Sequence, residues 1–478
     1  MSKKFAYPIL IILILLTAFQ SFMLINYHST GRLLPKRVIT GPNTVTDVMN
    51  FEEYLLETFI LPFEITMTTG EGLNVHKITN ESDGYYNQIW KNTVTLLGTI
   101  ADMKLYEIYD ADKWNEMTGK SGYIIKLGYD CPIEFINWIS GSVNTNNEIK
   151  SMNKVMILPT ASDEGDAYIK SDDKVYRYIG VKLSGLLQQD KFLSIYEEIK
   201  QASEITYVYL NEVASYDNFK GNIEPDTTVV IMNNRAAIGS IRVVGYELLT
   251  ECMFNLQIEP DINNLSASVT QYISEIKSRL FGVYSDVYKV LIAQNRDLTF
   301  SDQYNIYSIH SDGSITYRYL SASYIQEKGE ISQAFNNALG MLTDLATLSG
   351  AVQNKLVLTS VEVLNDSYQF NFTYYFNGYP VLLKEERNCI SINATADRVI
   401  SVDANLFDIS DASLPNDEED MYDLRTFNML SERDMVLGSI KADSMYIAYV
   451  KDVNTVLLPR WIIEADEITV LELKEAED

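Results

Sequence analysis

IYSIHSDGSITYRY (306–319) is the stretch whose reading decides the fold class. Apolar and polar side chains alternate on both sides of Asp312–Gly313, the period of a strand with one buried face. Asp-Gly favours the tight turn that joins neighbouring antiparallel strands. Strands at 304–309 and 314–320 are therefore predicted as a hairpin. Working outward, a helix over 266–281 and a strand over 286–292 precede it. A helix over 330–348 follows, with Gly350 as its cap. Strands are expected next at 355–364, 368–376, 390–393 and 398–407. Beyond an acidic loop (417–420), a helix near 432–442 leads to strands at 444–451 and 461–466. A helix followed by an antiparallel meander thus occurs at least twice. That order predicts an α+β protein in which helices cover antiparallel sheets.

Toward the N-terminus the pattern stays mixed. Residues 51–68 read as a short helix broken at Pro62, then a strand. In 81–105, Tyr85, Ile89, Trp90, Val94, Leu97 and Met103 recur at helical spacing. Trp114 falls in a second short helix, 123–127 is a strand, and 133–139 follows Pro132. Strands are expected at 155–158, 167–169, 175–178, 205–209 and 228–232, with a helix over 190–202. The polar run 140–154 reads as a linker or long loop, and Pro260, Asp261, Asn263 and Asn264 mark a second break. These breaks predict an N-terminal domain over 27–150, a central domain over 151–264 and an α+β domain over 265–410. Residues 411–478 complete the last of these.

The chain has 478 residues, 46% of them apolar, enough for several packed cores. It carries 38 basic and 65 acidic residues, a net charge of −27. So negative a surface repels phosphate backbones, which argues against nucleic acid as a partner. Cys131, Cys252 and Cys389 stand far apart with no CxxC spacing. They read as buried apolar side chains rather than a disulfide framework, although one long-range bridge remains open.

Lys3 and Lys4 precede the run FAYPILIILILLTAFQSFMLI (5–25). About 20 apolar residues at about 1.5 Å each span a bilayer. The expectation is a cytoplasmic tail (1–4), a transmembrane anchor (5–26) and an extracytoplasmic bulk. A cleaved signal peptide is the competing reading, but Ala18-Phe19-Gln20 is a poor cleavage context. Arg32, Lys36 and Arg37 after the run partly balance the N-terminal charge.

No catalytic, cofactor-binding or metal-ligating residue is assigned from the sequence. The three histidines, His28, His76 and His310, form no HExxH or His–Cys cluster. His310 with Asp312 resembles a dyad, yet Asp312 is better explained by the turn. Ser171–Lys174 and Ser274–Lys277 match SxxK without companion motifs, and no GxSxG elbow occurs. Gly70 and Gly72 form only a turn pair. Asp110, Asp112, Asn115 and Glu116 resemble the start of a calcium loop, but the glycine and the distant glutamate are out of register. The tyrosines of TYVYL (206–210), TYRYL (316–320) and FNFTYYF (370–376) read as cross-strand core pairs, with a sugar-binding platform as the minority reading.

Four segments carry a family resemblance: YYNQIW (85–90), IYSIHSDGSITYRY (306–319), FNFTYYFNGYPVL (370–382) and MYIAYVKDVNTVLLPRWII (445–463). With the single N-terminal helix, they resemble the YycH family, accessory regulators of the YycG (WalK) sensor histidine kinase in low-GC Gram-positive bacteria. Residues 265–410 resemble the related YycI unit. The resemblance implies a non-enzymatic, cell-membrane regulator of an essential two-component system that controls cell-wall metabolism. Its implied partners are the kinase and a YycI-like protein, met partly through the transmembrane helix, with no cofactor. An extracytoplasmic module binding envelope ligands, or a PepSY-like protease inhibitor, is the alternative.

Overall fold

The computed structural model describes residues 51–473 except 71–74, 79–83, 143–147, 161–162, 203–206, 210–225, 227, 231–238, 262, 321–327, 350–354, 385–387, 413–441, 453 and 466–468. The expected anchor, His28, Gly72, Gly350, the acidic loop and the helix near 432–442 lie outside the described residues. Among the described residues no helix is long and apolar enough to cross a membrane.

The first half of the chain builds one sheet. Its elements are α1 (Phe51–Thr58), β1 (Glu64–Thr68), β2 (Val75–Ile78), α2 (Tyr86–Ala101), β3 (Glu107–Asp110) and α3 (Asp112–Met117). Then come β4 (Gly122–Pro132), α4 (Ile133–Ser140), β5 (Ser151–Pro159), β6 (Glu164–Ser171), β7 (Lys174–Lys182), α5 (Gln189–Ala202), β8 (Tyr207–Tyr209) and β9 (Thr228–Val230). The nine strands run in the order β3-β7-β6-β5-β4-β1-β2-β8-β9, every pair antiparallel. Segments 27–150 and 151–264 thus both contribute to it, and β4 pairs directly with β5.

The alternation of each strand divides its side chains between two faces. Ile65, Met67, Tyr123, Ile125, Val155, Ile157 and Ile169 pack beneath α2, α4 and α5. Ile124, Met156, Leu158, Tyr168 and Val175 face the other way, against Trp114 and Met117 of α3. The stretch after Pro132 is helical, and it stops at Gly141, whose φ of 70° is the left-handed conformation that ends many helices.

The second half contains β10 (Ile241–Gly245), α6 (Glu247–Ile258), α7 (Ala267–Phe281), β11 (Lys289–Ile292), β12 (Leu298–Ser301), β13 (Asn305–Ile309) and β14 (Ile315–Tyr319). It continues with α8 (Ile331–Ala346), β15 (Lys355–Val363), β16 (Tyr368–Phe376), β17 (Tyr379–Leu383), β18 (Ile390–Ala394), β19 (Val399–Ala404) and β20 (Phe407–Asp411). β21 (Ala442–Lys451), β22 (Val456–Leu457), β23 (Pro459–Ala465) and β24 (Thr469–Leu473) follow. A 12-stranded sheet runs β11-β12-β13-β14-β19-β18-β16-β17-β21-β23-β24, with β15 added beside β16. Among the described residues only β17 and β21 pair in parallel within it. The mixed α+β, mainly antiparallel architecture is the one the sequence predicts.

Local differences have local causes. The single strand expected over 398–407 is two, because β20 leaves the large sheet to pair with β10 in a three-stranded one. The hairpin at Asp312–Gly313 closes as expected, with the Gly313 N–H donating to the His310 carbonyl at 2.9 Å. Asn377 and Gly378 take φ of 49° and 78°, the two positive values a type I′ turn needs between β16 and β17.

The two large sheets share one apolar core. Phe135 and Trp138 of α4 meet Phe335 of α8, with ring centroids 5.1 and 5.8 Å apart. Leu55 and Leu56 of α1 lie in the same core. The Phe59 carbonyl just after α1 accepts a hydrogen bond from the Leu358 N–H of β15 at 2.8 Å. Trp90 Nε1 donates to the Ile60 carbonyl at 2.6 Å.

Candidate functional site

His310 emerges from β13 into the hairpin loop. Its partner is Asp297, one residue before β12, and not Asp312. His310 Nδ1 lies 3.0 Å from Asp297 Oδ2, and Nε2 lies 3.2 Å from Thr316 Oγ1 on β14. Asp312 instead accepts from the backbone N–H and the hydroxyl of Ser314, at 2.9 and 2.7 Å. The hydroxyl–imidazole–carboxylate order is that of an acid–base relay. Thr316, however, sits mid-strand directly opposite Ser308, in a regular ladder. It lacks the strained turn that exposes a nucleophile in hydrolase elbows. The chain of contacts ties three neighbouring strands together at one end of the sheet.

The other sequence candidates stay apart. Ser171 and Lys174 face each other across the β6–β7 turn, where Asp172 adopts a positive φ of 48°. Ser274 is an exposed residue of α7. Glu116 pairs with Lys113 at 2.6 Å on α3. Among the described residues no group of three or more His, Cys, Asp and Glu could hold a metal ion. The three cysteines are buried and unbridged. Burial pushes the Cys131 and Cys252 thiols up to about 12, so neither is a thiolate near neutral pH. Tyr207, Tyr209, Tyr317 and Tyr374 are buried, as core pairs should be.

His76 is also buried, on β2, and its ring meets the Tyr196 ring of α5 edge to face at 4.9 Å. Among the described residues neither ring nitrogen has a hydrogen-bond partner. Burial, with a smaller push from Lys200, holds its pKa below the ordinary value, and Glu197 acts weakly the other way.

A charged row on the nine-stranded sheet escapes sequence reading altogether. Cross-strand register places Glu64 opposite Lys126, Lys126 opposite Lys154, and Lys154 opposite Lys170. Three lysines in direct register repel one another. Carboxylates offset that repulsion. Glu64 lies 3.2 Å from Lys126 and 3.0 Å from Lys77. Asp226, between β8 and β9 and wholly buried, lies 2.9 Å from Lys154 and 3.7 Å from Lys126. Trp114 Nε1 also points to Asp226, at 3.4 Å. Burial alone would raise the Asp226 pKa. The ammonium groups of Lys126, Lys154 and Lys170 outweigh it and hold the carboxyl well below the usual range. The row therefore fastens Asp226 to the sheet. No single motif could reveal it, since its members come from six separate segments.

No protein-family model and no curated protein matches the sequence. A solved structure does match: YycH from Bacillus subtilis, with a TM-score of 0.51 over 88% of this chain and 97% of that one. At 12% identity the likeness is one of architecture rather than of shared site residues. Taken with the two joined sheets described above, it makes this chain similar in fold to YycH from Bacillus subtilis.

Proposed function

We propose that this protein is a non-enzymatic, membrane-anchored regulator of a sensor histidine kinase of the YycG (WalK) type. The observation that carries this reading is the YycH-like fold, which spans 88% of the chain. The uncharged apolar run 5–25 serves as the anchor and leaves the folded bulk outside the cytoplasm. The kinase and a YycI-like protein are the partners.

Regulation of this kind requires contact free energy that differs between two states of the kinase. About 1–3 kcal/mol of differential contact changes an equilibrium roughly 5- to 150-fold. The anchor helix is rich in Ile, Leu and Phe and has no GxxxG, so its specificity comes from the shape of large side chains. α1 is the first described element after that run, and its leucines sit in the core common to both sheets.

The test is kinase autophosphorylation in membranes with the full chain, the anchor segment alone, or neither. Deletion is expected to change kinase output, and the anchor alone to restore part of the effect. Photocrosslinkers placed along 10–22 are expected to capture the kinase or a YycI-like chain. Unchanged kinase output on deletion would overturn the proposal.

A further inference from the structure

His76 lies on the face of the nine-stranded sheet that α5 covers, and it is only 6% exposed. Met67 of β1 stands directly opposite. Val208 of β8 reaches the same face, because Tyr207 and Tyr209 take the other one. From α5 comes Tyr196, whose ring meets the imidazole edge to face. The Lys200 ammonium lies 5.9 Å from the centroid of that same tyrosine ring. Among the described residues the charged groups facing His76 are Lys200 and Glu197, both of α5. Glu64 and Lys77 pair on the opposite face of the sheet.

A neutral imidazole fits this apolar seam, and an imidazolium does not. Protonation would bury a full charge and two donor N–H groups with no acceptor among the described residues. Lys200 repels that charge and Glu197 attracts it, so the two partly offset each other. The element free to yield is α5. Phe192, Ile195, Tyr196 and Ile199 seat it in the core. Its bond from the Tyr85 hydroxyl to Glu198 Oε2, 2.7 Å long, is exposed, and the Thr69 hydroxyl stands 3.5 Å from that of Tyr196. Single elements seated in this way open locally, ahead of the whole fold. β8, the next strand after α5, joins β2 through the pair Val75–Tyr207, one residue from His76.

We propose that His76 is a pH-operated latch: α5 stays docked while the imidazole is neutral, and protonation of the ring releases α5 together with the β8 margin of the sheet. Burial, and after it Lys200, holds the pKa of the docked ring below its ordinary value of 6.5. The released ring regains that value, so opening grows as pH falls through 6.5. The latch needs no kinase, so its failure and the failure of the regulator reading are separable.

The test is hydrogen exchange of the full chain in nanodiscs at pH 7.5 and pH 5.5, with each rate corrected for the intrinsic effect of pH. A single proton limits the rise in α5 opening over that interval to about tenfold. A severalfold rise is expected in α5 and none in α8. His76→Phe keeps an aromatic ring against Tyr196 and removes the titrating group, so its α5 is expected to exchange equally at both pH values. A second readout uses the unaltered site: NMR titration of isotope-labelled histidine, with the three histidines assigned through His28→Gln and His310→Gln. The His76 midpoint is expected below 6.5. Equal α5 exchange at both pH values in the wild type overturns the proposal. So does a rise shared by α8, a rise that persists in His76→Phe, or a His76 midpoint at or above 6.5.

Discussion

The ring of Phe135 meets that of Phe335 edge to face, 5.1 Å between centroids and 84° between planes. Phe135 belongs to α4, on the nine-stranded sheet, and Phe335 to α8, on the 12-stranded one. Phe370 of β16 lies 5.1 Å from Phe335, so the contact extends into the second sheet itself. Edge-to-face pairs of this kind add about 0.5–1.5 kcal/mol to the apolar area they bury.

Phe335→Ala should therefore cost about 3–5 kcal/mol, the usual range for emptying a buried aromatic site. Urea unfolding followed by tryptophan fluorescence checks it. Because the ring joins the sheets, the single wild-type transition is also expected to broaden or split. An unchanged midpoint would contradict the shared core.

Asp226→Ala removes the carboxylate from the lysine row and leaves buried ammonium groups poorly compensated, at a cost of about 3–5 kcal/mol. The folded pKa of Asp226 lies below its unfolded value of 3.8, so its contribution is present above that value and is lost as pH falls below it. The variant should be less stable than wild type at neutral pH, and the gap should narrow under acid. Denaturation midpoints at pH 7 and pH 3 measure both.

His76 produces a milder acid sensitivity. Its folded pKa lies below 6.5, so the unfolded chain binds more protons as pH falls through that value. The associated stability is complete above pH 6.5 and declines below it, toward the folded pKa. His76→Leu is expected to flatten the stability profile on the acid side of pH 6.5, read from thermal midpoints in matched buffers.

Thr316→Val breaks one link of the Asp297–His310–Thr316 chain. A hydrogen bond of this type contributes about 0.5–1.5 kcal/mol, and a loss of that size is expected. Kinase regulation is expected to persist in the variant. Loss of a hydrolytic activity on this substitution would assign the chain a catalytic role instead.

Much of the secondary structure was legible because it depends on near neighbours. Helical spacing identifies α2 through Ile89, Trp90, Val94 and Leu97, all of which are buried. Asp312–Gly313 and Asn377–Gly378 mark their turns because few residues tolerate the φ those turns need. α6 was not legible. In its sequence, ELLTECMFNLQI, the polar residues share one face, but Phe254 and Ile258 fall among them and are exposed, while Leu249, Cys252, Met253 and Leu256 are buried. Two large apolar side chains within the polar face blur the helical period.

The sequence by itself determined an α+β chain with an apolar N-terminal run, antiparallel meanders and no recognisable catalytic motif, since alternation, turn stereochemistry and motif spacing act over a few residues. Tertiary structure alone decided that segments 27–150 and 151–264 meet in one sheet. It also chose Asp297 over Asp312 for His310, lined up Lys126, Lys154 and Lys170 under Asp226, and left β11 at an edge. The physical reason is register. A shift of one residue between paired strands moves every side chain to the opposite face, and only the packing of distant segments selects among registers.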